Sequence, residues 1–337
     1  MRSSIIDFGI SEPRERDIDI LAFARTAEKL GFNSIHVHDH VSAPFETLTI
    51  LTAIAIKTKK LKVATNVLDM NRRNPATTAH VTSTLDHLSG GRLILGAGCG
   101  IWNWPTYNVP NVGDRGRLEV SRKVTRAREA IEVLKKFWTE SSVTYRGRFY
   151  NFENASIGVK PLQRPHPPIW VAGYGMRMKR IAAELGDGFI TQTMLPLMYK
   201  EEVESVRCSA KEAGRDPMKI KCILAAMTGI GRTHNEAVES IKKDAQSLLF
   251  SSARDHADHH NRLAERLGHD ELLPWKRPEE VSSEDICQVY LIGTPEEIIT
   301  RIEEYLKGGM SYLIIMGPCT TDSLRLFSDK VISCFKD

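Results

Sequence analysis

Short runs of β-branched and apolar residues alternate with longer amphipathic stretches along this chain, and this alternation constrains its fold more than any other feature. The pattern predicts βα units arranged around a parallel sheet. Eight such units within 337 residues are typical of an α/β protein with a closed (β/α)8 TIM barrel. An open doubly wound sheet is the alternative, but no G-x-G-x-x-G motif follows the first run. The predicted strands are Ile5–Ile10, Ser34–His38, Leu61–Asn66, Arg92–Leu95, Pro168–Ala172, Gly188–Thr191, Lys219–Met227 and Tyr312–Met316.

Two segments depart from a minimal barrel. Apolar residues recur at helical spacing over 118–138 and predict a helix packed on the core. After it, residues 142–153 predict a β-hairpin that turns at Arg146-Gly147. Residues from about 245 to 288 are polar and rich in histidine, and so long a segment between elements predicts a mobile, lid-like insertion before the last strand. We therefore expect one domain over 1–337 that carries both insertions.

The composition narrows the class of partner. A net charge of +4 is mild for a nucleic-acid-binding protein, and no recognition motif accompanies it. The apolar runs are too short for a membrane span, and the first residues lack the apolar core of a signal peptide. Six cysteines are scattered without a C-x-x-C pair, which favours a reducing compartment over a disulfide or zinc framework. We expect a cytoplasmic protein with a small-molecule substrate, and neither a nucleic acid nor a membrane as partner.

The end of the second predicted strand carries the densest candidate chemistry, because barrel active sites lie at the carboxyl ends of strands. It reads His36-Val37-His38-Asp39-His40. His36 and His38, two residues apart, are one possible pair of metal ligands, as in a metal-dependent hydrolase. A single acid/base histidine beside a carboxylate is the second hypothesis. The third is that the histidines only pack or cap. No later strand end offers a matching His and Asp, so we expect no metal site.

Two glycine-rich turns are candidate ligand-binding segments. The fourth strand runs into Gly96-Ala97-Gly98-Cys99-Gly100, where missing side chains would let the backbone approach a planar ligand. The fifth exits through Gly173-Tyr174-Gly175-Met176-Arg177-Met178. A helix that begins there would offer its N-terminus to an anion, with Arg177 adding charge. A plain tight turn between strand and helix is the alternative for this second segment.

Several short motifs occur in one order along nearly the whole chain. The most specific is Thr84–Arg92 followed by Leu95–Gly98; the others include Ala27–Phe32, Asp39-His40 and Asn74-Pro75-Ala76. In this order they resemble the bacterial-luciferase-like superfamily of oxidoreductases. That superfamily includes flavin-dependent monooxygenases as well as dehydrogenases and reductases that use coenzyme F420, a deazaflavin.

The resemblance implies a barrel with an insertion before its last strand, and it implies roles for particular residues. Asp39 would lie against the cofactor ring, and His40 would be the proton donor or base. The Asn66–Val67 peptide bond would be cis and lie beneath the ring. Further positions that match residues holding the ring or the phosphate are Asp69, Cys99, Gly173, Tyr174, Gly175, Arg177 and Met178.

The chain also departs from the sugar-phosphate and alcohol dehydrogenases of this superfamily. Those enzymes carry a Trp soon after the histidine and a Glu after the fourth, glycine-rich loop. Here the two regions read Val41-Ser42-Ala43-Pro44 and Gly100-Ile101-Trp102. Chemistry on a free alcohol is therefore disfavoured, and Glu12, just past the first strand, is the nearest acidic substitute for a catalytic role.

The resemblance favours an F420-dependent oxidoreductase, similar to the methylenetetrahydromethanopterin reductases. Such an enzyme would pass a hydride between the deazaflavin and an electrophilic carbon of a small organic substrate. An FMN-dependent monooxygenase is the alternative. The superfamily commonly forms dimers or larger assemblies, so we also expect a homo-oligomer.

Overall fold

A computed structural model describes residues 6–13, 17–40, 43–100, 120–192, 194–242, 282–317 and 320–336. Its main sheet closes on itself, because each barrel strand pairs in parallel with the next and the last pairs with the first. In the described residues the closed ring consists of β1 (Asp7–Ser11), β2 (Ser34–Val37), β3 (Lys62–Thr65), β5 (Leu93–Gly98), β8 (Ile169–Ala172), β9 (Gly188–Gln192), β10 (Lys221–Ile230) and β12 (Tyr312–Met316). The predicted (β/α)8 barrel is confirmed.

Helices cover the outside of the ring, and local capping signals fix several of their ends. Asn74 caps α3 and Pro75 occupies its first turn, while Gly90 ends it in the left-handed conformation. The described helices are α1 (Ile20–Lys29), α2 (Thr47–Lys57), α3 (Pro75–Ser89), α4 (Val120–Thr139), α5 (Met176–Leu185), α6 (Pro196–Glu212), α7 (234–242), α8 (Ser283–Val289), α9 (Pro295–Lys307) and α10 (Thr321–Lys330). None of them combines the length and apolar character needed to cross a membrane.

The barrel separates two apolar layers. Between strands and helices lies the larger one, which includes the α4 stripe of Ala127, Ile131, Leu134 and Trp138, all buried as predicted. The inside of the barrel is filled by side chains such as Ile94, Ile223 and Ile314, together with Trp170 and Tyr312. Because the interior is packed, the ligand-binding space of such a fold lies at the rim, above the carboxyl ends of the strands.

Short strands are where the structure adds to the prediction. The hairpin is present as β6 (Val143–Arg146) and β7 (Asn151–Ala155), with antiparallel pairing. Two brief strands were not predicted: β4 (Leu68–Asp69) pairs with the end of β5, and β11 (Leu291–Gly293) pairs with the end of β10. Two or three residues are too few to show a period. Residues 243–281, which contain most of the predicted insertion, lie outside the described residues.

Candidate active site

The neighbouring strands β1 and β2 bring Glu12 and His38 together. Ser11 pairs with His36 in the parallel register, so the residues that follow each strand leave the barrel side by side. The Glu12 backbone N–H donates to the His36 carbonyl at 2.9 Å. Glu12 Oε1 accepts a hydrogen bond from the His38 backbone N–H at 2.9 Å, and both carboxylate oxygens lie 3.0 Å from His38 Nδ1. Glu12, predicted as an acidic catalytic residue, is thus bound to His38.

Asp39 lies at the centre of a charged cluster. It is buried, and its carboxylate is 2.5 Å from Arg73 Nη1 and 2.8 Å from Arg72 Nη2. The Asp69 backbone N–H also donates to Asp39 Oδ2 at 2.9 Å. Burial acts to raise the pKa of Asp39, but the hydrogen bonds and charge of Arg73, the Asp69 amide and the charge of Arg72 outweigh it and hold that pKa below its ordinary value.

His40 follows Asp39 and is half-buried at the rim. Its ring stacks on that of His38, with centroids 5.9 Å apart and planes 16° from parallel. Burial and then the charge of His38 lower the pKa of His40 to about 4. Near neutral pH its ring is therefore uncharged, with one nitrogen donating and the other accepting, which is the form that takes up a proton.

The ends of β3 and β5 hold the next group of predicted residues. The Asn66–Val67 bond is cis, as the resemblance implies. Asp69 is buried, which raises its pKa, and its Oδ1 accepts from the Asn71 backbone N–H at 2.9 Å. The side-chain amide of Asn71 also donates to the Cys99 carbonyl at 2.7 Å. Asp69 and Cys99 thus both accept hydrogen bonds from Asn71, in the loop beside Asp39.

The glycines at the end of β5 have a local explanation that differs from the predicted one. A Cβ on Gly96 would stand 2.0 Å from the Thr65 carbonyl oxygen, and one on Gly98 would stand 2.7 Å from a Val67 methyl. The neighbouring segment 65–67 therefore requires both glycines, whatever ligand is bound. Gly100 has a φ of +75°, and a Cβ there would stand 2.2 Å from the Asp69 carboxylate.

The third predicted group lies beyond β8, the next strand around the ring. Gly173 has a φ of +145°, and a Cβ there would stand 2.8 Å from the buried Met178. Gly175 is the N-cap of α5 and makes no side-chain cap. Arg177 is exposed and donates to Thr125 Oγ1 on α4 at 2.7 Å, while the Tyr174 hydroxyl donates to Gln192 Oε1 at 3.4 Å. The predicted site residues therefore form three groups, after β1 and β2, after β3 and β5, and after β8. These strands are consecutive around the ring, so the three groups lie along one arc of the barrel rim.

The structure does not support the metal hypothesis. His36 is fully buried inside the barrel, where its Nε2 is 2.6 Å from Ser34 Oγ and its ring stacks on Trp170 at 5.9 Å. Burial, followed by the charge of His38, lowers the pKa of His36 to about 3. Among the described residues no group of three or more His, Cys, Asp or Glu side chains is arranged to hold a metal ion.

Two arginines that the sequence analysis did not single out take part in this site, and His38 takes part in a way that differs from its predicted roles. Arg72 and Arg73 neutralise Asp39, and His38 forms the pair with Glu12. The one signal for the arginines is that they follow shortly after the third predicted strand, where the residues of a barrel active site are expected. Residues 41–42 and 101–119, which would follow His40 and the β5 loop, lie outside the described residues.

Comparison with known proteins agrees with a closed barrel that carries its candidate site along one arc of the rim. A family model described as luciferase-like monooxygenase matches residues 11–312. The chain belongs to this family. It is accordingly an oxidoreductase, and the motifs that suggested the superfamily identified it correctly.

Individual relatives span nearly the full chain. A phthiodiolone/phenolphthiodiolone dimycocerosates ketoreductase from Mycobacterium kansasii is 30% identical, over 89% of this chain and 84% of its own length. A 5,10-methylenetetrahydromethanopterin reductase from Archaeoglobus fulgidus is 25% identical, over 98% and 99%. The solved coenzyme F420-dependent tetrahydromethanopterin reductase from Methanopyrus kandleri superimposes with a TM-score of 0.82 at 24% identity, covering 99% of this chain and all of that one. The similarity to the Methanopyrus kandleri structure is evidence for the fold alone.

Proposed function

We propose that this protein is an F420-dependent oxidoreductase that transfers a hydride between the deazaflavin and an electrophilic carbon of a small organic substrate. The observation that carries the proposal is the position of the half-buried His40 at the carboxyl end of β2, directly after the buried Asp39 that Arg72 and Arg73 bind. Hydride transfer at such a carbon is accompanied by a proton transfer at the neighbouring oxygen or nitrogen. An uncharged His40 accepts that proton when the substrate is oxidised, and the protonated ring returns it when the substrate is reduced. The F420-dependent and reductase relatives support this reading.

The residues of the arc suit a flat, partly anionic cofactor. Asp39, Asn66, Val67, Asp69 and Cys99 would surround the ring. Gly173, Tyr174, Gly175, Arg177 and Met178 would hold the phosphate, because α5 begins there without a side-chain cap and Arg177 is exposed on its first turn. When bound, the deazaflavin supplies or accepts the hydride. The chain itself positions the ring and manages the proton at His40.

Cofactor binding tests the proposal directly. We expect F420 to quench the protein's tryptophan fluorescence at a lower concentration than FMN does. Arg177→Ala should weaken F420 binding, whereas Arg180→Ala, at another exposed position on the same helix, should not. FMN binding more tightly than F420, with oxygen-dependent turnover, would instead favour the monooxygenase activity after which the family model is described.

The oligomeric state and the location also belong to the proposal. Ile56 on α2 and Val81 and Leu88 on α3 are large apolar side chains that are 62%, 40% and 49% exposed. Exposed apolar residues on adjacent helices favour a self-associating surface. We propose a homo-oligomer that buries them, and light scattering of an Ile56→Glu variant would test it. A cytoplasmic location stays a prediction from the cysteine pattern.

A further inference from the structure

The ring of His38 is held on one side and stacked on the other. Glu12 contacts both the backbone N–H and Nδ1 of this residue, at 2.9 and 3.0 Å. The opposite contact is the nearly parallel ring of His40. The side chains of His38 and Glu12 are only 20% and 10% exposed. A carboxylate that binds the backbone and the ring of one histidine fixes how that ring is turned, in the way a carboxylate orients the histidine of a catalytic triad.

Stacking two imidazoles makes their charges interdependent. A proton on His38 is balanced by the Glu12 carboxylate, whereas a second proton on His40 would face the like charge on His38. From the sequence, His38 was either a metal ligand together with His36 or a residue that only packs. The contacts with Glu12 and His40 instead connect it to the residue that is proposed to move the proton.

We propose that His38 is a positioning residue of the active site: Glu12 fixes its ring, and that ring holds the His40 ring in place and opposes a charge on it. His38 acts through His40 and need not touch the substrate. The catalytic half of this inference rests on the proposed function, since it takes His40 as the proton-transfer group. The structural half, coupling between the two rings, does not depend on any cofactor.

Several charged groups in the described residues face His40, and they come from three segments. His38 and Asp39 precede it in the chain, Glu12 follows β1, and Arg72 follows β4. The charges of His38 and Arg72 lower the pKa of His40, while those of Asp39 and Glu12 raise it. His38 exerts the largest of these charge effects, second only to burial. Replacing it should therefore move the His40 titration upward.

The first test is an NMR titration of the histidine rings in the cofactor-free protein. His38→Asn and His38→Gln both remove the ring and its charge, and the Gln amide can still donate to Glu12. We expect either variant to raise the pKa of His40 by about one unit, the usual effect of removing one close like charge. His80→Asn, an exposed substitution on α3, is the matched control and should leave it unchanged. An unshifted His40 in folded His38 variants would overturn the inference.

The second test is the pH dependence of F420-linked turnover. Both His38 variants should lower kcat, leave the KM for the cofactor nearly unchanged and move the acid limb of the profile to higher pH. Glu12→Gln should also lower kcat, and Glu12→Asp should restore part of it. A merely structural role would reduce the amount of active enzyme without moving the acid limb, and that result would overturn the positioning role. Absence of F420 binding alongside a shifted His40 would instead contradict the proposed function and leave the coupling supported.

Discussion

His36 and His40 lie four residues apart near the end of the same strand, yet they differ in depth within the barrel and in the groups that surround them. His36 lies inside the barrel, where it is hydrogen-bonded to Ser34 and stacked on Trp170. His40 lies at the rim, beside Asp39 and stacked on His38. A strand advances about 3.3 Å per residue, so a few residues separate a dry core from the mouth of the barrel. Depth along the barrel axis, more than residue type, decides which histidine is available to a ligand.

The largest effect is expected from the rim histidine. His40→Ala should lower turnover roughly 10²–10⁴-fold, the usual contribution of general acid–base catalysis, while cofactor affinity is kept. Steady-state kinetics with reduced F420, beside fluorescence titration of the cofactor, would measure both. Near-normal turnover in this variant would remove the contrast between the two histidines.

The next effect concerns the charged cluster that Asp39 forms with Arg72 and Arg73 at the rim. Asp39→Asn should destabilise the fold by about 3 kcal/mol, because it removes the buried carboxylate that Arg72 and Arg73 share. Arg72 would keep only the longer contact with Asp69, at 3.4 Å, and Arg73 only the exposed Glu46. Urea unfolding would measure it. Glu46→Gln is the control: Glu46 also binds Arg73, at 2.8 Å, but its side chain is 51% exposed, so its loss should cost at most about 1 kcal/mol. Equal losses in the two variants would mean that the Asp39 pair is no more costly to break than a surface pair.

Replacing the interior histidine, His36, should lower stability and leave turnover unchanged. His36→Ala removes a fully buried ring and should lower the free energy of unfolding by about 2–3 kcal/mol through the cavity it leaves. Turnover per folded molecule should match the wild type, because His36 is packed beneath the rim. A large fall in kcat with unchanged stability would show that His36 takes part in the chemistry.

The smallest expected effect is on acid stability. The folded protein holds the pKa of His36 at about 3 and that of His40 at about 4, below the ordinary value of about 6.5. As the pH falls below about 6.5, the unfolded chain takes up protons that the folded protein does not, so the stability contributed by the two neutral rings is lost progressively down to those pKa values. A His36→Leu variant should show a flatter fall of the urea midpoint between pH 7 and pH 5 than a His80→Leu control. If the urea midpoints of the two variants fell with pH in parallel, the result would contradict the burial of His36 as an uncharged ring.

Two kinds of sequence evidence identified much of the candidate site. The rule that barrel chemistry lies at strand ends pointed to Asp39 and His40, the family resemblance added Asp69 and Cys99, and the structure gathers all four on adjacent strands. Neither kind of evidence identified the partners of these residues. Arg72 and Arg73 were passed over because nothing in their local pattern shows which carboxylate they meet. The sequence analysis explained the glycines at the end of β5 by a ligand, whereas Thr65 and Val67 of the neighbouring segment already require Gly96 and Gly98.

By itself, the sequence determined the barrel, its order of strands and the residues that leave each strand, because apolar periodicity and helix caps are local signals. Only the tertiary structure decided how deep each histidine lies and which charges pair. Glu12 meets His38 across 26 residues of chain, and Asp39 meets Arg73 across 34. Such contacts depend on strand register and on packing between distant segments. The same local sequence would therefore accept several partners, and the closed barrel selects one.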